Sequence, residues 1–122
     1  MARRFLTVAC LAAAALVSGG CGSQSVEVAK DDPNHEGAVL FVERCGACHA
    51  VRGSEAGGAA GPDLTHLMSR ATLAAGTVPN TVSGLAGWIA NPQALKPGAR
   101  MPVTGLSGAE LGEVTAYLET LR

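Results

Sequence analysis

Cys45-Gly46-Ala47-Cys48-His49 concentrates more reactive chemistry than any other stretch of this 122-residue chain. Two thiols three positions apart lie about one helical turn from each other, and an imidazole follows at once. The C-x-x-C-H order reads as a site of c-type haem attachment. Thiols at that spacing reach the two vinyl groups on one edge of a haem as thioethers. The adjacent histidine then falls beneath the iron as its proximal ligand. The expected cofactor is one haem c, bound covalently through Cys45 and Cys48, with His49 on the metal.

Other uses of the same residues are open. Thiol–disulfide exchange places C-x-x-C on a βαβ framework, and no strand-period segment is evident here. A zinc site needs four ligands; Cys45, Cys48, His66 and His35 would supply them but leave His49 idle. The motif by chance, with no cofactor, is the remaining alternative. The acidic residues show no paired arrangement suited to general acid–base work, and nothing marks a substrate site.

The elements that must position these groups are short. Asp32-Pro33 offers a cap and a first-turn proline, predicting a first helix that runs to about Arg44. Gly37 is costly inside a helix and suggests close approach by another element. Residues 51–62 are rich in glycine and alanine and read as loop. A short helix is predicted near Leu64 to Ala71. A second spans Asn80 to Ala90, with Leu85, Trp88 and Ile89 on one face, ended by Asn91-Pro92. Lys96-Pro97-Gly98 is a turn signal. The last helix is the clearest: Ser107 and Glu110 form a capping box, and Leu111, Val114, Leu118 and Leu121 recur along one face.

The N-terminus has a different layout. Arg3 and Arg4 precede an apolar run from Phe5 to Val17, followed by small residues to Gly20. That is the pattern of a secretory signal, and the run falls short of the ~20 residues a membrane span needs. Cys21, directly after the small residues, resembles the lipidated cysteine of a bacterial lipoprotein. Three segments are therefore expected: a signal peptide at 1–20 cleaved before Cys21, a flexible tether at 21–32, and one domain at 33–122. The alternatives are an uncleaved anchor, or ordinary cleavage that leaves Cys21 a free thiol. The expected location is the extracytoplasmic face of a bacterial membrane, lipid-anchored through Cys21. The cysteine count then closes. Cys10 leaves with the signal, Cys21 takes lipid, and Cys45 and Cys48 remain for chemistry. The mature chain keeps 7 basic against 10 acidic residues, a net charge of −3, which argues against nucleic acid as a partner. A domain of about 90 residues with few aromatics makes a thin core alone; a large apolar cofactor would complete it.

From Asp32 onward the chain resembles the class I cytochrome c family. Gly37, Phe41 and Cys45 repeat its Gly-x-x-x-Phe-x-x-x-Cys spacing. Gly61-Pro62-Asp63-Leu64, with Arg70 beyond, looks like its Gly-Pro-Asn-Leu segment and following arginine. Asn91-Pro92 and Pro97 to Pro102 resemble the approach to the axial methionine. In detail, GPDLTHLMSR and LAGWIANPQALKPGARMP look closest to the cytochrome domain fused to subunit II of bacterial haem-copper oxidases. The chain departs from that parent in showing neither paired transmembrane helices nor a second cysteine-rich copper motif, so it looks like a detached module.

The resemblance implies an all-α fold whose helices wrap one haem, with the first and last helices crossing in contact, Gly37 permitting the approach and Phe41 meeting Tyr117 or Leu118. It makes Met101 the sixth iron ligand, a pairing with His49 that raises the potential and suits electron transfer. It gives Pro62 a carbonyl that accepts the His49 Nδ1–H, fixing tautomer and ring orientation. It sets Leu64 against the porphyrin, Arg70 beside a propionate, and Trp88 in the pocket. His66 and Met68 are the competing sixth ligands. The implied function is a monohaem electron carrier, or electron-entry module, for a membrane respiratory complex, with a terminal haem-copper oxidase as the named candidate. Its partners are redox proteins, the chain is a monomer, and no enzymatic activity is expected. A haem enzyme or gas sensor is the alternative, and it requires Met101 to leave the iron. A ring of basic residues, Arg44, Arg52, Lys96 and Arg100, is expected around the exposed haem edge.

Overall fold

A computed structural model describes residues 28–122. The expected signal peptide, Cys10, the lipidation site Cys21 and the first part of the tether lie outside the described residues. The last residues of that segment, 28–32, sit on the domain: Val28 packs against its core and Asp32 N–H donates to the Ala29 carbonyl.

Helix α1 spans His35–Cys45, α2 Val82–Ala90, α3 Pro92–Leu95 and α4 Gly108–Glu119. Between α1 and α2 lie two short 3₁₀ turns, Leu67–Ser69 and Ala74–Gly76, and a two-stranded antiparallel ladder. Its strands are β1, Thr72–Leu73, and β2, Val78–Pro79, paired Thr72 to Pro79 and Leu73 to Val78. Among the described residues the fold is mostly helical with one small sheet. The ladder was not foreseen, because strands of two residues are too short to show the period-2 alternation by which a strand is recognised.

α1 begins two residues later than expected, at His35 rather than Pro33. Asp32 Oδ1 accepts from the Asn34 backbone N–H at 2.7 Å, which commits it to the preceding turn, and Asn34 takes the cap position without a side-chain bond. The predicted helix near Leu64 shrinks to the single turn Leu67–Ser69. α2 is capped by Thr81, whose Oγ1 accepts from Gly84 N–H at 3.0 Å. Asn91 ends α2 and also starts α3: its Oδ1 accepts from Ala94 N–H at 3.1 Å, with Pro92 in the first turn. The capping box of α4 has both halves, Ser107 N–H to Glu110 Oε2 at 2.7 Å and Glu110 N–H to Ser107 Oγ at 3.3 Å.

α1 and α4 cross in contact. A Cβ on Gly37 would run into the Glu113 carbonyl and the Tyr117 Cβ, so only glycine permits this crossing. One turn further on, Phe41 meets Tyr117 with ring centroids 5.7 Å apart and planes tilted by 49°, an arrangement favoured by aromatic quadrupoles. The buried face of α4 is Val114, Thr115, Tyr117 and Leu118. That is rotated from the predicted stripe, because Tyr117 must reach Phe41, and Leu121 falls beyond the helix end. Val114, Tyr117 and Leu118 form one apolar core with Phe41, Leu67, Leu85 and Ile89.

Candidate functional site

The core is hollow. A cavity of about 720 Å³ opens between the helices and the loops that join them, in the range of ligand and cofactor sites, ~300–1,000 Å³. Its helical walls are Phe41 of α1, Leu85, Trp88 and Ile89 of α2, and Val114 and Leu118 of α4. The eight residues singled out from the sequence, Cys45, Cys48, His49, Pro62, Leu64, Arg70, Trp88 and Met101, all line it. They arrive there from four separate stretches of chain.

Cys45 is the last residue of α1, and the chain continues in tight turns: Cys48 N–H and His49 N–H both donate to the Cys45 carbonyl, at 3.0 and 2.9 Å. Both thiols are therefore held at the cavity edge, and both are free rather than joined as a disulfide. Burial pushes the Cys45 thiol above its usual range, against the opposing pull of Arg44.

His49 is fixed from two directions. Its Nδ1 lies 2.9 Å from the Pro62 carbonyl oxygen, and a carbonyl can only accept, so Nδ1 carries the proton and Nε2 keeps a free lone pair. Gly61 lies flat against the ring: a Cβ there would stand 2.5–3.0 Å from Cε1, Nδ1 and Nε2. The loop that supplies these contacts is itself tied back. Arg52 N–H donates to Thr65 Oγ1 at 2.8 Å, and Thr65 donates to Asp63 Oδ1 through both its hydroxyl, at 2.5 Å, and its amide, at 2.8 Å. These bonds, the Thr65 hydroxyl first, hold the Asp63 carboxyl below the ordinary carboxylate range, helped by Arg52 and Arg70. The Arg70 guanidinium donates to the Asp63 carbonyl, so this exposed side chain is steered to the cavity rim.

The loop after α3 brings Met101, half-buried, to the same cavity. Gln93 of α3 grips that loop. Its Nε2 donates to the Ala99 carbonyl at 2.6 Å and the Met101 carbonyl at 3.2 Å, and its Oε1 accepts from Gly98 N–H at 3.1 Å. Lys96 Nζ donates to the Ala74 carbonyl at 2.8 Å, joining the same loop to the β1–β2 connection. That connection lines the cavity with Ala74 and Ala75 at φ of 52° and 55°, a left-handed conformation that L-residues adopt at a cost. Asn80 Nδ2 bridges the Leu67 and Arg70 carbonyls, both at 2.9 Å. The sequence reading named none of these supporting roles for Gln93, Thr65, Asn80 and Lys96. A glutamine directly after an Asn-Pro cap, close ahead of a Pro-Gly turn, was the one available hint.

The competing residues lie elsewhere. His35 Nδ1 is 2.9 Å from the Val28 carbonyl, and His66 Nδ1 is 2.9 Å from the Arg122 carbonyl. Met68 packs on the outside of the core, with its N–H on the Leu121 carbonyl. None of the three lines the cavity. Among the described residues no three His, Cys, Asp or Glu side chains converge as a zinc site would require.

These residues fit the expected cofactor. A large apolar planar group would fill the cavity, the two free thiols stand where it could be tethered, and the one imidazole on the wall has Nε2 left for a metal. Arg70 and Arg100 give its rim positive charge suited to carboxylates.

Three comparisons bear on the same region. The family model "Cytochrome c" matches residues 35–122. The chain is 36% identical over 102 residues to a cytochrome c oxidase subunit 2 of Alkalihalophilus pseudofirmus, across 82% of this chain. It spans only 29% of that relative's length. Among solved structures it is similar to the c-type cytochrome SorU from Sinorhizobium meliloti, with a TM-score of 0.53 and 24% identity, covering 75% of this chain and 93% of the other. That last likeness concerns the fold.

Proposed function

The chain belongs to the cytochrome c family and is an electron-transfer protein with one covalently bound haem c, and on that premise we propose that it delivers electrons to a membrane respiratory complex of the haem-copper oxidase type. The observation that carries this reading is the convergence of Cys45, Cys48, His49 and Met101 on one cavity. In this reading Cys45 and Cys48 form the thioethers, and His49 and Met101 hold the iron. When bound, the haem supplies a one-electron ferric/ferrous couple. The protein supplies rigidity. The Pro62 carbonyl and Gly61 hold the imidazole ring of His49, the apolar walls exclude water, and Arg70 offsets a propionate that would be expensive to bury unpaired. Little then has to rearrange when the iron changes charge. Leu64 and Trp88 pack on the ring.

The 36% identity to part of an oxidase subunit supports the choice of partner. Cytochrome c domains generally work outside the cytoplasm. The basic, apolar, small-residue layout of residues 1–20 and the position of Cys21 support export and a lipid anchor on the extracytoplasmic side. Among the described residues no helix is long and apolar enough to cross a membrane. The protein acts as a monomer through redox protein contacts, with no catalysis of its own.

The test is spectroscopic and then biochemical. The purified protein should show a low-spin reduced spectrum, a methionine-to-iron band in the far red when oxidised, and no rapid carbon monoxide binding. Haem should stay with the chain under denaturation, and replacing both Cys45 and Cys48 by Ala should abolish the holoprotein. High-spin bands and fast carbon monoxide binding would instead mark a haem enzyme or gas sensor with Met101 off the iron. Co-purification from the native membrane should recover a haem-copper oxidase, and mass spectrometry should find lipid on Cys21. Recovery of a different complex would overturn the partner, and an unmodified Cys21 the anchor.

A further inference from the structure

The geometry points to Gln93 as the positioning residue for the axial side of the site: it clamps the loop that carries Met101. This rests on the reading of Met101 as an iron ligand. Besides Gln93, two side-chain bonds hold the loop: Lys96 Nζ to the Ala74 carbonyl at 2.8 Å at its start, and Thr104 Oγ1 to the Ile89 carbonyl at 3.3 Å beyond Met101. Between Pro97 and Leu106 the backbone makes one hydrogen bond to backbone, Ala99 N–H to the Lys96 carbonyl at 3.0 Å. The segment has no regular structure, and Gly98 bends it at a φ of +81°. Pro97 and Pro102 bring no amide hydrogens. Gln93 replaces the missing ladder with one side chain, using its acceptor on Gly98 and its donor on both Ala99 and Met101. All three bonds run to the five-residue stretch that ends in Met101.

A primary amide suits this position for a chemical reason. It offers an acceptor and two donor hydrogens on one planar group, and the loop presents one N–H and two carbonyls. A carboxylate would keep the bond from Gly98 but turn an oxygen towards two carbonyl oxygens. An apolar side chain of the same length would satisfy none. The short helix that carries Gln93 is fixed at its start by the Asn91 cap and by Pro92, which is fully buried. The clamp is thus anchored to the packed core and not to another loop. A thioether is a neutral, weak ligand, so the fraction of time it spends on the iron depends on how tightly its backbone is held. Gln93 sets that fraction.

The test compares the holoprotein with Gln93→Met, which keeps volume and loses the bonds, and with Gln93→Glu. In each, the rate at which added imidazole displaces the sixth ligand of the ferric protein is measured, together with amide hydrogen exchange at Gly98. The expected result is displacement roughly tenfold faster in both variants, the ratio given by about one net hydrogen bond. Gly98 exchange should be faster in Gln93→Met but stay protected in Gln93→Glu, and helix content should be unchanged. Unchanged displacement in both variants, in a wild type that shows the methionine-to-iron band, would overturn the clamp. Absence of that band from the wild type would overturn the ligand assignment beneath it.

Discussion

The ring of His49 lies between the Pro62 carbonyl oxygen, 2.9 Å from Nδ1, and the backbone of Gly61, which leaves no room for a side chain. One contact sets the tautomer and the other sets the ring plane. Together they make the loop after residue 60 part of the site, although it supplies no iron ligand in the proposed assignment.

Gly61→Ala is the direct probe of that relation. The added methyl would come within 2.5–3.0 Å of three ring atoms, so either the imidazole tilts or the loop retreats and lengthens the Pro62 contact. Overpacking of this kind costs about 1–3 kcal/mol. The holoprotein should lose that much stability in denaturant titration, and its midpoint potential should shift as the imidazole hydrogen bond weakens. A variant that matches the wild type in both measurements would show that Gly61 is not a constraint on His49.

Met101 and Met68 separate the sixth-ligand assignment from its rival. Met101→Ala should abolish the far-red band and either turn the iron high-spin or admit a different ligand, lowering the potential. Met68→Ala should leave the visible spectrum unchanged, since Met68 lies away from the cavity; as a half-buried residue it should cost some stability only. The reverse pattern would move the ligand to Met68.

Much of this was readable from the sequence because the strong signals are local. Cys45 to His49 and Gly61 to Leu64 are contiguous motifs, and Ser107 with Glu110 is a three-residue relation. Gly37 was legible because a glycine inside a helix has a cost that packing must explain, and Glu113 and Tyr117 explain it. What stayed hidden depends on long-range partners. Gln93 is an unremarkable polar residue until the loop folds back over α3. Asn80 acquires its role only when Leu67 and Arg70 present their carbonyls to it. The left-handed turn at Ala74 and Ala75 has no sequence mark, since alanine does not favour it; Lys96, twenty-two residues later, supports it from outside.

Two carboxylates give the apparent stability an acid edge. Asp63 is held below its usual range by the Thr65 hydroxyl and amide, and Glu110 by the Ser107 amide and hydroxyl. In both the folded-state value lies under the unfolded one. Their contribution is therefore fully present above the unfolded carboxylate range, about pH 4, and is lost as pH falls through the folded values. Thermal midpoints should be flat from pH 7 to about 5 and decline below that. Asp63→Asn with Glu110→Gln should make the decline shallower, because neutral amides keep acceptors for the same donors and do not titrate. An equally steep decline in the double variant would place the acid sensitivity in other groups.

The docking surface follows from where the cations are left. Of the four basic residues expected around the exposed edge, three have an acidic or carbonyl neighbour. Arg44 lies close enough to Glu110 to lower its pKa, Arg52 does the same to Asp63, and Lys96 spends its ammonium on the Ala74 carbonyl. Arg100 is exposed and lines the cavity mouth, one residue before Met101. Val103, three residues further along the same loop, is 55% exposed and offers an apolar side chain. An acidic partner would be steered to this rim, and steering acts chiefly on the association rate. At ~0.15 M salt the screening length is about 8 Å, so bimolecular electron transfer to the native complex, followed by stopped flow, should slow as salt is raised. Arg100→Gln should reproduce much of that loss at low salt, and Arg44→Gln little of it. Lys96→Gln should act differently, loosening the Ala74 turn and lowering stability more than the transfer rate. A rate that stays flat or climbs with salt, or an Arg100→Gln variant as fast as the wild type, would remove the electrostatic rim from the mechanism.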